Sequence, residues 1–444
     1  MTFTILHGNN LDILPTLPDN SVDSIVTDPP YELGFMGKKW DSSGIAYSVE
    51  LWTECLRVLK PGGHLLSFGG TRTFHRVAVS IEDAGFEIRD NIAWLYGSGF
   101  PKSLDVSKAI DKSAGAEREV IGQKVSPDGT CYASRIINAR GPSIGGAAYG
   151  EYGNGGGEVT APSTTEAQQW EGWGTALKPA HEPIIVARKP LIGTVAHNVL
   201  THGTGALNID GSRIGTTDNL NGGAYAIQGT EREDGWGMQR GQAGEYEQPK
   251  GRWPANIILD EHTAGLLDEQ SGVSKSPSGM ITQGGKAKGG FDVGSSDGTR
   301  TSKFQGHNDS GGASRFFYVA KASKRDRNEG LEGLPKSQPV GGADKWTETD
   351  RRRGEGVTRE PSSNFHPTVK PTALMGYLVK LVTPPNGTVL DPFTGSGSTG
   401  KAAILNGFDF IGIEMTEDYL PIIKARLEHA ETEFAEAQAD KGLF

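Results

Sequence analysis

The sequence predicts an α/β fold with a mostly parallel sheet, on three observations. Short apolar runs alternate with amphipathic runs at helical spacing through the first hundred residues. A strand, a glycine loop, a helix start and a second strand follow one another between Gly387 and Ile413. Between these regions the pattern dissolves. Glycine makes up 63 of 444 residues, against a usual share of roughly 7%, and most of the excess lies from 111 to 312.

The elements follow in order. Ser24 to Thr27 is a short buried-strand candidate that ends in Asp28-Pro29-Pro30-Tyr31. Tyr47 to Leu59 carries Val49, Trp52, Leu56 and Leu59 at helical spacing, and Pro61-Gly62-Gly63 is expected to stop that helix. His64 to Phe68 reads as the next strand, Phe74 to Ala84 as a helix closed by Gly85, and Phe86 to Tyr96 as another strand. Segments such as SIGGAAYGEYGNGGGE and MITQGGKAKGGFDVGSSDG are too rich in glycine for regular elements. Islands of order interrupt them: strands at Glu182–Ala187 and Ala255–Leu259, and a short helix from Glu261 to Asp268. Arg315 to Ala320 resumes the folded pattern. The charged stretches KASKRDR, near 321–327, and Arg351-Arg352-Arg353 read as solvated linker. Ala373 to Val382 is a helix, Gly387 to Leu390 a strand, Gly400 to Leu405 a helix start, Phe408 to Ile413 a strand, and Asp418 to Ala435 a C-terminal helix.

Composition bounds the function. The length suggests roughly two to three domains and a core that needs no staples. Two cysteines, Cys55 and Cys131, make no disulfide framework and hold no zinc by themselves. The ten histidines are scattered, so no metal site is expected. MTFTILHGNN lacks the pattern of a signal peptide, no apolar run is long enough to span a membrane, and the cytoplasm is the expected compartment. The net charge of −10 argues against a non-specific nucleic-acid binder, but not against a local basic cleft.

Two motifs carry chemistry. In Asp28-Pro29-Pro30-Tyr31 the prolines fix two φ angles and remove two N–H donors. What remains is a rigid turn of acceptors, the carbonyls and the Asp28 carboxylate, beside the Tyr31 ring. That set suits a planar ring bearing an exocyclic amine. The second motif is Val389-Leu390-Asp391-Pro392-Phe393-Thr394-Gly395-Ser396-Gly397-Ser398-Thr399-Gly400-Lys401. Its strand, glycine loop and helix let backbone N–H groups approach a ligand at the helix start. Gly395 to Lys401 satisfies the beginning of a phosphate-binding P-loop, but the next residue is Ala402, so the magnesium-binding hydroxyl is missing. The same glycines fit GxGxxG, and Glu414, at the end of the next strand, is placed to accept from ribose hydroxyls. On these residues a dinucleotide and S-adenosylmethionine both remain open.

Together, DPPY and LDPFTGSGSTGKAA resemble the S-adenosylmethionine-dependent amino-methyltransferases of DNA. The catalytic motif precedes the cofactor loop, as in the permuted β group of that family. Gly8 to Leu14 followed by LPDNSVDSIVTDPPY resembles the family's lead-in. His181 to Val186 resembles its late sheet strand, and His366-Pro367-Thr368-Val369-Lys370-Pro371 the opening of its cofactor half. TGALNIDGSRIG and GRWPANIILDE resemble segments of phage and prophage adenine methylases, so such an origin is expected. The likeness covers roughly residues 1–110, 175–215, 250–270 and 313–430. One departure is Asn9, where the family often has an aspartate near the target base or cofactor. Another is Lys38-Lys39-Trp40, unusual just after DPPY.

The resemblance implies a methyltransferase α/β sandwich, with a seven-stranded, mostly parallel sheet, one antiparallel strand and a glycine-rich target-recognition insert. It implies a catalytic half at 1–110, a glycine-rich insertion at 111–190, a target-recognition region at 191–312, a cofactor half at 313–435 and a tail at 436–444. S-adenosylmethionine is expected against Asp391, Phe393, Gly395, Gly397, Ser398 and Thr399, with Glu414 on the ribose and Thr368 and Lys370 near the methionyl carboxylate. Asp28, Pro29, Pro30 and Tyr31 are the expected catalytic group, acting on a base flipped out of double-stranded DNA. Arg213, Arg232, Arg240 and Arg252 are candidates for phosphate or guanine contacts. Adenine N6 is the expected target, because the N4-cytosine branch more often has serine where this chain has Asp28. N4-cytosine methylation is the alternative, and a catalytically silent DNA-binding relative a more distant one. No catalytic thiol in a matching motif supports C5-cytosine chemistry. The family often dimerises, some members serve restriction-modification, and neither a metal nor a membrane is implied.

Overall fold

In a computed structural model, the residues described are 1–33, 39–97, 99, 103–123, 158–218, 220, 248–275, 279–283, 300–304, 309–321, 324–335 and 363–441. Nine strands form the main sheet: β1 (Phe3–His7), β2 (Val22–Thr27), β3 (Leu59–Phe68), β4 (Glu87–Leu95), β5 (His181–Arg188), β6 (Ile257–Asp260), β7 (Tyr318–Ala320), β8 (Thr388–Asp391) and β9 (Asp409–Glu414). Their spatial order is β1-β9-β8-β2-β3-β5-β4-β6-β7. Only β5 runs antiparallel to its neighbours, β3 and β4. The expected seven-stranded unit with one antiparallel strand is therefore present, extended by β6 and β7 at one edge. The two ends of the chain interleave, since β1 lies outside β8 and β9.

The central strands read as continuous apolar runs because both sheet faces are covered. Ile25, Leu65, Ile185 and Leu390 point into one core, and their neighbours Val26, Leu66, Ile184 and Val389 point into the other. The first core is closed by α1 (Val49–Val58) and α2 (Phe74–Asp83), through Leu51, Trp52, Cys55, Val77 and Ile81. Downstream come α3 (Val106–Ser113), α4 (Val195–His202) and α5 (Glu261–Ser271). The second core is closed by α6 (Thr372–Val382), α7 (Ser398–Leu405) and α8 (Leu420–Lys441).

One boundary differs from the expectation. Pro61-Gly62-Gly63 does not separate helix from strand; α1 ends at Val58 and β3 runs through all three residues. Gly62 has φ of +77° and packs against Leu191 and Asn198, while the Pro61 carbonyl accepts from Asn198 Nδ2 at 2.9 Å. The strand is bulged there, with Leu59 opposite Val22 and His64 opposite Ser24, so the turn chemistry survives inside the strand's path.

Two insertions leave the sheet at opposite ends. The stretch between β4 and β5 departs and returns at the carboxyl end of β4, where Leu95 pairs with His181. The region expected to read the target is anchored elsewhere. Asn198 and Thr204 bind Pro61 near the start of β3, and the Asn208 amide donates to Leu381 near the end of α6, ahead of β8. No helix among the described residues is long and apolar enough to cross a membrane.

Candidate active site

Parallel pairing brings the two motifs together. Leu390 lies beside Ile25, Asp391 beside Gly412, and Glu414 beside His7. Asp28, Asp391, Glu414 and Gly8 thus stand in a row at the carboxyl ends of four adjacent strands, where open α/β sheets bind ligands. The motifs are also bonded to each other. Thr27 Oγ1 donates to Asp391 Oδ1 at 2.6 Å, across 364 residues of sequence.

On the cofactor side Asp391 is buried and faces inward. Its Oδ1 also accepts the Phe393 amide at 3.0 Å, which sets the turn into the loop. Burial pushes its carboxyl up to about 6, against opposing hydrogen bonds from Thr27, Thr399 and Phe393. Gly395 and Gly397 have φ of +54° and +77°, a region that favours glycine. A Cβ at Gly395 would stand 2.9 Å from His366 Nε2, so the HPTVKP segment lies directly against the loop. Glu414 is buried and accepts the Gly395 and Thr416 amides at 2.8 and 2.7 Å. Burial raises its pKa above the ordinary value. Ser398 opens α7 and is hydrogen-bonded to Ser396 at 3.2 Å. Thr368 is exposed, and its amide donates to His366 Nδ1 at 3.3 Å.

The P-loop alternative fails on Lys401. Its side chain is 1% exposed and its ammonium is paired with Glu329 at 2.7 Å, so it reaches no ligand at the loop.

On the catalytic side Asp28 Oδ2 accepts Lys370 Nζ at 2.6 Å, while Asp28 Oδ1 is buried with no hydrogen-bond partner among the described residues. The Tyr31 hydroxyl donates to Glu182 Oε2 at 2.8 Å. Its pKa stands well above the ordinary phenol value through burial and the negative charges of Asp28 and Glu182. Pro29 is buried and Pro30 half-buried. Lys370, expected near the methionyl carboxylate, is instead brought onto Asp28. Burial alone would lower its pKa, but Asp28 and Glu182 outweigh that and raise it.

Several residues near the site had no sequence signal. Arg426 on α8 is fully buried and donates to the Ser396 carbonyl and, at 3.3 Å, to Ser398 Oγ. Burial lowers its pKa to about 10. Glu182 was visible only as part of a strand. Asn9 Oδ1 caps the helical turn Asn10–Ile13 by accepting the Leu11 amide at 3.1 Å.

Arg213 and Arg252 are tied into the protein. Arg213 pairs with Asp210 at 2.7 Å and Arg252 with Asp218 at 2.5 Å. Each therefore has an internal carboxylate partner, that of Arg213 being largely exposed. Arg232, Arg240, Cys131, Lys38 and Arg351–Arg353 lie outside the described residues, as do the side chains of Lys39 and Trp40. No cluster of metal-binding side chains occurs among the described residues.

A DNA methylase family model matches residues 22–425, and the chain belongs to that N6/N4 methylase family. S-adenosylmethionine is the family's cofactor. Among curated proteins the chain is similar to the type II methyltransferase M.HpaI of Haemophilus parainfluenzae, 34% identical over 113 residues. That match covers 24% of this chain and 36% of the relative. It is also similar to M.ScaI of Streptomyces caespitosus, 43% identical over 74 residues, 17% of this chain and 22% of the relative. The chain thus spans about a third or less of the length of these relatives. Among solved structures it is similar to the PvuII DNA methyltransferase (cytosine-N4-specific), with 12% identity and a TM-score of 0.41, covering 96% of this chain and 86% of that one.

The residues at the cofactor side fit S-adenosylmethionine. Gly395 and Gly397 give the loop the left-handed turns that bring its backbone close, and a buried carboxylate stands at the end of β9. The amides opening α7 face the same loop.

Proposed function

We propose that this chain transfers a methyl group from S-adenosylmethionine to the exocyclic N6 of adenine in double-stranded DNA. One observation carries the reading. Asp28 Oδ1 is a buried carboxylate oxygen with no donor among the described residues, at a strand end beside the cofactor loop. Buried acceptors are almost always satisfied, and an exocyclic amine supplies the missing donor.

The cofactor supplies an electrophilic methyl group. The chain's own residues do the rest. Asp28 Oδ1 and the Pro29 carbonyl accept the two amino hydrogens, which favours a pyramidal nitrogen with its lone pair free. The Tyr31 ring stacks on a base that has left the duplex, since the amine is otherwise out of reach. As the N–C bond forms and the C–S bond breaks with its electron pair left on sulfur, positive charge develops on nitrogen and the preorganised Asp28 carboxylate stabilises it. The nitrogen then gives up one amino hydrogen as a proton, through Asp28 Oδ1 to solvent. Glu414 holds ribose hydroxyls, and Phe393, Gly395, Gly397, Ser398, Thr399 and Thr368 form the cofactor's bed. Asp391 shapes that bed from beneath.

Adenine is favoured over cytosine because Asp28 stands where the N4-cytosine branch more often has serine, and because the middle segments resemble those of adenine methylases. The setting that fits is the cytoplasm of a bacterial host, with a phage or prophage source. DNA binding should weaken steeply with salt.

The test is nucleoside mass spectrometry after incubating purified protein with unmethylated duplex DNA and S-adenosylmethionine. N6-methyldeoxyadenosine is expected. N4-methyldeoxycytidine would overturn the base assignment and leave the Asp28 chemistry standing. Absence of both while the cofactor binds would contradict duplex DNA as substrate.

A further inference from the structure

Asp28 sits in a closed network drawn from three distant stretches of chain. Lys370 Nζ approaches Asp28 Oδ2 at 2.6 Å, the Tyr31 hydroxyl at 3.3 Å and Glu182 Oε2 at 3.4 Å. Those partners match the three hydrogens of an ammonium. The same group lies 4.9 Å from the Phe68 ring centroid and 5.4 Å from that of Tyr31. Tyr31 donates onward to Glu182. The Lys370 side chain is 10% exposed and those of Asp28 and Glu182 are 20% exposed, so solvent screens the charges only partly.

We propose that Lys370 and Glu182 are positioning residues for methyl transfer. Lys370 fixes one oxygen of Asp28 so that the other is the acceptor for the amine, and Glu182 holds both the Lys370 ammonium and the Tyr31 hydroxyl. This rests on the methyltransferase reading above and deepens it. A carboxylate free to turn about its Cβ–Cγ bond presents either oxygen. A charge-assisted bond to one oxygen removes that freedom. Two carboxylates sharing one partly buried pocket also need a cation between them. Tyr31 is the fourth member: held through its hydroxyl, its ring has a fixed plane. The other charged or titratable groups facing Asp28 are Asp391, at the end of β8, and His366, on the segment before α6.

The experiment is the pH profile of single-turnover methyl transfer at saturating cofactor, for wild type, Lys370→Met and Glu182→Gln. Loss of the ammonium should cut the rate by about 100-fold. It should also move the acid limb up by about one pH unit, because the carboxylate has lost its cation. Glu182→Gln keeps an acceptor for Tyr31 and removes a negative charge, so its acid limb should move down. A merely structural role lowers the rate without moving either limb, and two unmoved limbs overturn the inference.

A stability cycle of Asp28→Asn, Lys370→Met and the double variant supplies a readout that needs no activity. Coupling between the two sites is expected, and additive effects overturn the inference whatever the substrate. A wild type that methylates no base sinks the functional reading, and the cycle still decides the network.

Discussion

β2 and β8 lie side by side, and both end in Asp-Pro with an aromatic residue close behind: Asp28-Pro29-Pro30-Tyr31 and Asp391-Pro392-Phe393. Their carboxylates live in opposite conditions. Asp391 is 1% exposed, and one of its oxygens takes a hydroxyl from β2 and an amide from its own turn. Asp28 has one oxygen on an ammonium and the other without a donor among the described residues. The same dipeptide serves as a rivet in one strand and as a reagent in the other. The neighbours decide: Thr27 and the Phe393 amide satisfy Asp391, whereas the double proline at 29–30 withdraws the amides that would satisfy Asp28.

The comparison yields predictions of decreasing size. Asp28→Ala should lower the methyl-transfer rate by on the order of 100-fold or more with the fold intact; circular dichroism and single-turnover kinetics check both halves. Lys401→Met tests whether the loop beyond Asp391 is a phosphate site. It should cost about 2 kcal/mol in denaturant unfolding, because Glu329 loses its buried partner but keeps Arg325 at 3.2 Å. Binding of ATP that Lys401→Met abolishes would contradict this assignment. Glu414→Gln should weaken cofactor affinity by about tenfold, through one weakened charge-assisted hydrogen bond, as read by calorimetry.

Asp391→Asn should be the mildest, within about 1 kcal/mol of wild type at pH 4, since the amide oxygen can accept from Thr27 and Phe393 and the amide nitrogen can donate to the Thr399 hydroxyl. Its pH dependence sharpens the contrast. The Asp391 carboxyl stands at about 6 in the folded chain against 3.8 ordinarily. The folded state therefore prefers the protonated form, and the stability this group contributes is lost as pH rises through about 6. The asparagine variant has no such loss, so it should gain on wild type between pH 4 and pH 7 in thermal unfolding.

Much of this site was legible in sequence because its parts are local. An apolar strand running into DPPY, a strand running into a glycine loop and an acidic residue ending the next strand are short-range patterns, and the structure places all three at the carboxyl ends of adjacent strands. What was not legible depends on chain crossings. Lys370 meets Asp28 across 342 residues, and Tyr31 meets Glu182 across 151. Arg426 reads as one more charge on an amphipathic helix until α8 is laid beneath the loop. Of the two extra strands, β6 already reads as a strand at Ala255–Leu259, whereas β7 has only three residues, too short for a periodic signal. The ion pairs of the middle region were illegible for a related reason. Sequence shows a positive charge but not the carboxylates, Asp210 and Asp218, that fold back onto it.

The central claim is that Asp28, and not its twin on β8, is the acceptor for the substrate amine. Single-turnover methyl transfer by Asp28→Asn and Asp391→Asn, compared at equal cofactor occupancy, tests it most directly. The account predicts a loss of about 100-fold or more for Asp28→Asn with unchanged cofactor affinity, and a loss of less than about tenfold for Asp391→Asn, which keeps its acceptor bonds. Near-full activity in Asp28→Asn, or a larger loss in Asp391→Asn than in Asp28→Asn, would contradict it.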